Sequence, residues 1–283
     1  MQTRLSKISR HADRLSIAPF SNHRKSAVPR FVSVLLGLAL PPALSQAQTV
    51  GWTMRDVGGP SARSLHAMAY DSGRGRTVLF GGQTAAGCNG ETWEWDGSSW
   101  TQHSIDGPSA RTDHAMVYDA ARGVTVLYGG ITADDPYLRD TWGWNGSVWT
   151  QRVVEGPSAR NQYTMAYDSQ RNVTVLVGGN VPPGGDGSET WEFDGVTWAR
   201  RNVDGPSSRC CHAMAYDSAR GATVLHGGYA GNGSSGETWE WDGVSWSQRA
   251  NNGPTPRLFH TMAYDMRRHV VILLGGSTPE LDD

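Results

Sequence analysis

A stretch of about 48 residues recurs four times in this chain and then begins a fifth time, and nothing else constrains its fold as strongly. Pro60, Pro108, Pro157, Pro206 and Pro254 each follow a glycine, and Arg63, Arg111, Arg160, Arg209 and Arg257 each stand three residues further on. Glycine pairs ending at Gly82, Gly130, Gly179, Gly228 and Gly276 close the next segment. A unit this short cannot bury its own apolar face, so the copies must stack, and the repeat decides the architecture. The copies span approximately residues 57–104, 105–153, 154–202, 203–250 and, incompletely, 251–283.

The first copy reads as four strands, a to d. In Ser64 to Tyr70, His66, Met68 and Tyr70 alternate with Ala67 and Ala69, which is strand periodicity. The later copies keep one bulky and one small face, as expected of a strand wedged between two sheets near a crowded axis. After a polar turn, Thr77-Val78-Leu79-Phe80 is apolar on both faces and ends at Gly81-Gly82, the mark of a strand buried on both sides. Strand c, Thr92-Trp93-Glu94-Trp95, leads through Asp96-Gly97 to strand d at Trp100-Thr101, and Asp-Gly between aromatic strands signals a hairpin. Asn145-Gly146, Asp194-Gly195 and Asp242-Gly243 repeat it. Trp93 and Trp95 share one face of strand c and are expected to pack against the next sheet.

The Arg-x-x-His opening, the Gly-Gly closing strand b, and the aromatic Trp95 followed by Trp100 resemble a kelch repeat over about residues 50–283. The resemblance implies an all-β fold: a β-propeller of four-stranded antiparallel blades around a central channel. Trp95 and Trp100 stand five apart, slightly closer than the family's usual spacing, so this c–d turn is tighter.

The ends of the chain carry two expectations. Val50-Gly51-Trp52-Thr53 matches strand d around Trp100 and Trp149, so an N-terminal strand is expected to complete the last blade and close the ring. Leu281-Asp282-Asp283 aligns with Leu138-Arg139-Asp140, where the next residue begins strand c. Kelch rings commonly have six or seven blades, so this reads as a shortened version of a longer propeller. The alternative is a five-bladed ring lacking one strand, and a closed ring is expected to be a monomer.

Residues 1–47 differ in composition. Seven Lys and Arg precede an apolar run, Phe31 to Leu40, and Ser45-Gln46-Ala47 supplies a small-x-small cleavage pattern. This reads as a secretory signal with a long basic lead, giving a propeller of residues 48–283 that is secreted, periplasmic or on the cell surface. The apolar run is half the ~20 residues of a membrane span, so no span is expected after cleavage. The net charge of −2 gives no basic surface for nucleic acid. Cys88 lies in the first copy and Cys210 and Cys211 in the fourth, so no disulfide scaffold follows, and a bridge between adjacent cysteines would be strained.

Strand order puts the d–a and b–c loops on one face and the a–b and c–d turns on the other. The turns barely vary between copies. The b–c loops vary strongly: QTAAGCNG (83–90), ITADDPYLR (131–139), NVPPGGDGS (180–188) and YAGNGSSG (229–236). Loops released from scaffold geometry can carry recognition, so this is the candidate binding face, with Tyr137 and Tyr229 as aromatic candidates. Arg63, Arg111, Arg160, Arg209 and Arg257 open strand a there. They could form a cationic ring for an anionic or carbohydrate ligand, or tie blades together through Asp56, Asp106, Glu155 or Asp204 upstream. His66, His114, His212 and His260 are expected to point sideways between blades, with Tyr163 in the third copy, so no metal site is expected.

These observations favour a binding or scaffold module for a protein or glycan ligand, with no cofactor. The alternative is an enzyme on the same scaffold. The resemblance extends to galactose-oxidase-like propellers, which hold copper through tyrosines and histidines, and to sialic-acid epimerases. A reaction needs one site and not five similar ones, so catalytic groups should break the repeat. Cys211-His212 with Tyr163 in the previous blade is the nearest approach to such a cluster. A third reading is a fragment of a larger surface protein.

Overall fold

The computed structural model describes residues 57–183, 187–231, 233–250 and 253–278, within one compact unit, Met54–Asp283. The expected signal segment, the strand expected at 50–53 to close the ring, and residues 281–283 lie outside the described residues. Every described element of regular structure is a strand or a turn. No helix among the described residues is long and apolar enough to cross a membrane.

The first blade comprises β1 (Ala67–Asp71), β2 (Arg76–Phe80), β3 (Thr92–Trp95) and β4 (Trp100–His103), paired antiparallel in that order. The second has β5 (Ala115–Asp119), β6 (Val124–Gly130), β7 (Leu138–Trp144) and β8 (Trp149–Arg152). The third has β9 (Thr164–Asp168), β10 (Val173–Val177), β11 (Thr190–Phe193) and β12 (Trp198–Arg201). The fourth has β13 (Ala213–Asp217), β14 (Ala222–His226), β15 (Thr238–Trp241) and β16 (Trp246–Ala250). The described part of the fifth is the pair β17 (Thr261–Asp265) and β18 (Val270–Leu274). The inner strands β1, β5, β9, β13 and β17 surround a space of about 360 Å³ lined by their alanines, methionines and tyrosines.

The small-and-bulky alternation becomes the packing between blades. The register Met116↔Leu127↔Trp142 puts those three side chains on one face of the second blade, where they meet Ala67, Ala69, Val78 and Phe80 of the first. The same arrangement recurs at the next two junctions. In the second to fourth blades the strand-c tryptophans pack on the preceding blade rather than the next, because their face carries the bulky residues: Trp144 Nε1 donates to Glu94 Oε1 of the first blade at 2.8 Å. Strand-d tryptophans do likewise, Trp149 to Thr92, Trp198 to Thr141 and Trp246 to Thr190, at 2.9 to 3.0 Å.

The inner strands also start later than the alternation suggests. Ser64 makes an isolated bridge to Gln83, and β1 begins only at Ala67. Leu65 between them is left-handed, with φ of 56°. The paired glycines that end strand b have a steric cause. A Cβ on Gly81 would meet the Arg111 carbonyl at 2.6 Å and His114 Cε1 at 2.9 Å, both from the next blade. One on Gly82 would meet Ser64 O and His66 Cβ, both at 2.8 Å. Both glycines also have positive φ, so the pair is required twice over.

Candidate functional site

The five arginine side chains bond to their own blades. Arg111, Arg160 and Arg209 are no more than 2 % exposed. Arg111 reaches Asp140 at 2.7 and 2.8 Å, the Gly129 carbonyl, and both the carbonyl and hydroxyl of Ser109. Arg63 pairs with Glu91, Arg160 with Glu189 and Arg209 with Glu237. Arg257 repeats the bonds to the Thr255 hydroxyl and the Gly275 carbonyl. The acids expected upstream are not the partners: among the described residues, the acid comes from the end of the same blade's b–c loop, across the sheet. Burial opposes ionisation of Asp140, but the hydrogen bonds and charge of Arg111 hold its carboxyl below the usual range. Each guanidinium binds its own blade, while the arginine carbonyl accepts the second glycine N–H of the preceding blade, as Gly82 to Arg111 at 2.9 Å.

The histidines do point sideways. His114 lies edge-on to Phe80 of the preceding blade at 5.6 Å. Burial, with the Arg111 charge adding to it, lowers its imidazole to about 3, and His212 falls to about 3 for the same reason. Tyr163 takes the third position, and its hydroxyl donates to the Tyr128 carbonyl. Tyr163, Cys211 and His212 therefore do not converge: the tyrosine bonds the second blade, His212 abuts Gly178 and Cys211 faces Gln162. Among the described residues no three His, Cys, Asp or Glu side chains gather as a metal site.

On the opposite face, a second network escaped the sequence reading, although Asp-x-x-Arg recurs in every a–b turn. Arg74 bridges Asp71 and Glu94, Arg171 bridges Asp168 and Glu192, and Arg220 bridges Asp217 and Glu240. Glu94 also pairs with His103 at 3.3 Å, a carboxylate–histidine pair the repeat pattern did not suggest. In the third and fourth blades Arg201 and Arg249 occupy the corresponding place against Glu192 and Glu240. His103 is thus a variant of a structural ion pair.

The residues that truly break the repeat sit at the channel mouth on the b–c face. Leu65, Asp113, Gln162, Cys211 and Phe259 each precede the histidine or tyrosine that leads into the inner strand, and all five have φ between 54° and 62°. Their backbones join in a chain: Asp113 N–H donates to Leu65 O, Gln162 to Asp113, Cys211 to Gln162 and Phe259 to Cys211, at 2.9 to 3.3 Å. A non-glycine residue held left-handed costs roughly 1–2 kcal/mol, and this chain of bonds offsets it. The signal was present in the sequence as the second of two adjacent positions, between the arginine and the histidine or tyrosine, where no two copies agree.

The b–c loops join this mouth directly. Thr112 bridges Ile131, Asn161 bridges Asn180, and Arg209–Cys210 pairs with Tyr229–Ala230, so the d–a segments and b–c loops do share a face. Tyr229 is 48 % exposed beside the mouth. Tyr137 lines an open hollow of about 480 Å³ with Asp135, Leu138, Arg139 and Asp140.

No protein-family model and no curated protein matches this chain. Among solved structures, that of YjhT, a kelch-type propeller protein, matches with a TM-score of 0.62 at 14 % identity, covering 76 % of this chain and 78 % of that one. Likeness at that identity carries the fold alone: the chain has a kelch-like β-propeller fold.

Proposed function

We propose that this chain is an exported binding module that holds a protein or glycan ligand at the channel mouth and the b–c loops around it. One observation carries the reading: the mouth is ringed by apolar, acidic, amide, thiol and aromatic side chains at five equivalent positions, while the arginine, histidine and glycine scaffold beneath them repeats. A repeating scaffold with a non-repeating rim is what recognition of one asymmetric ligand requires. The half-buried Asp113 and the exposed Phe259 offer a carboxylate and a stacking surface on that rim. Export rests on the basic-then-apolar segment within residues 1–47.

The test is a screen of the purified chain on glycan and peptide arrays, followed by titration of any hit. Asp113→Asn and Phe259→Asn keep a residue tolerant of left-handed backbone and remove the charge or the ring. Each is expected to weaken the hit about tenfold or more, whereas Val196→Ala, in a c–d turn on the opposite face, leaves it unchanged. The reading fails if no hit survives titration, or if only the Val196 variant loses it.

A further inference from the structure

Cys210 and Cys211 are neighbours in sequence, and their thiols converge: Cys211 Sγ lies 3.1 Å from Cys210 Sγ. A disulfide needs about 2.05 Å, so closure asks for a movement of about 1 Å. The third cysteine serves elsewhere, with Cys88 Sγ facing Gln83 Oε1 within the first blade's own loop. Gln162 Oε1, on the neighbouring mouth residue, lies 3.3 Å from Cys211 Sγ as the alternative acceptor for its one S–H. Each cysteine is 9 % exposed, so attack by a small disulfide takes place on local opening of the mouth.

We propose that Cys210 and Cys211 are a redox-responsive vicinal dithiol, oxidised by a low-molecular-weight disulfide to a bridge between adjacent residues that reshapes the channel mouth. The thiolate of Cys210 attacks one sulfur of the small disulfide and expels its other half as a thiol. The Cys211 thiol, losing its proton, then attacks the Cys210 sulfur of the mixed disulfide and expels the second half. Two cysteine thiols and one small disulfide become one protein disulfide and two small thiols. Donation from Cys211 to the Cys210 sulfur lowers the Cys210 thiol and raises that of Cys211, which suits this order of attack.

The bridge would be strained. Consecutive Cα atoms stand about 3.8 Å apart, below the usual disulfide separation, and strained disulfides are the easily reduced, regulatory ones. Its formation acts where two parts of the site meet. Cys210 pairs with Tyr229 in a b–c loop, while Cys211 bonds Gln162 and Phe259 through its backbone. A bridged Cys211 has no S–H to offer Gln162, and the left-handed turn at this residue must adjust.

The full chain is equilibrated in graded mixtures of reduced and oxidised glutathione, acid-quenched, alkylated, digested and weighed. The expected result is a Cys210–Cys211 peptide that loses two hydrogen atoms and escapes alkylation, with Cys88 alkylated, and that reverts with dithiothreitol. Cys211→Ser is expected to stop at glutathione on Cys210. Full alkylation of both cysteines in every mixture overturns the proposal. So do glutathione on the wild-type pair without ring closure, or a bridge to Cys88; the wild-type result stands even if a variant fails to fold.

Discussion

His114 and His212 are neutral because their rings are buried against the neighbouring blade beside an arginine, and that makes stability depend on pH with a definite sign. Unfolded, each imidazole takes a proton near 6.5; folded, it does so only near 3. Between those values the unfolded chain binds more protons, so stability is complete above pH 6.5 and is lost as the pH falls toward 3. The slope approaches about 1.4 kcal/mol per histidine per pH unit. Tyr163 shows what the junction accepts instead, so the double variant His114→Tyr, His212→Tyr is expected to flatten the fall in melting temperature between pH 6.5 and 4.5. The paired carboxylates Glu91, Asp140 and Glu237 add to the loss only toward the lower end of that window, where the unfolded chain's carboxyls begin to take protons, so an unchanged slope in its upper part would contradict the assignment. Glycine makes a second residue-scale prediction. A Cβ on Gly178 would lie 2.5 Å from the Arg209 carbonyl and 2.6 Å from His212 Cε1, at φ of 74°, whereas one on Gly97 would meet nothing within 4 Å. Gly178→Ala is expected to lose 3 kcal/mol or more (~3, from overpacking plus backbone strain) and Gly97→Ala about 1–2, read from urea denaturation midpoints.

Blades hold one another by repeated bonds from one element to the next, and the strand-d tryptophan is the simplest to test. Trp198 Nε1 donates to Thr141 Oγ1 at 3.0 Å in a buried junction. Thr141→Val keeps the shape and strands a buried indole N–H, which is expected to cost about 1–3 kcal/mol, while Thr150→Val on the exposed strand β8 stays within about 0.5. Thermal melts of the two variants decide it. The elements themselves were largely legible: the apolar run of β2, the Trp-Glu-Trp of β3 and its Asp-Gly turn fall where periodicity and turn chemistry place them. The start of β1 was not legible, because alternation continues in the letters through Leu65 while the backbone turns left-handed there. The arginine partners were missed because nearness in sequence suggested Asp106, whereas the pairing of β6 with β7 brings Asp140 to Arg111 across the sheet. The mouth ring was overlooked for a related reason: a search for catalytic types passes over leucine, glutamine and phenylalanine, and what marks these positions is their disagreement between copies.

At the scale of the molecule, the stacking rule that buries the inner junctions leaves two faces uncovered among the described residues. Met68 on the first blade is 46 % exposed, while Met116, Met165 and Met214 at the equivalent place are 6 to 7 % exposed. Leu274 on the fifth blade is 60 % exposed, while Phe80, Tyr128, Val177 and His226 are at most 2 %. Stacking was readable from the repeat, since each blade offers a small face and a bulky one. Matched substitutions measure the difference. Val177→Thr puts a hydroxyl into a closed junction and is expected to cost about 1–3 kcal/mol. Leu274→Thr, at the equivalent register position opposite Thr261 as Val177 is opposite Thr164, changes a side chain already in water and is expected to stay within about 0.5 kcal/mol. Exposed apolar faces of this kind also favour association, so sedimentation of the wild-type chain should show concentration-dependent self-association that Leu274→Thr weakens. Equal costs for the two substitutions, with a monomer at every concentration, would mean instead that Leu274 is buried in solution by the chain's own remaining residues.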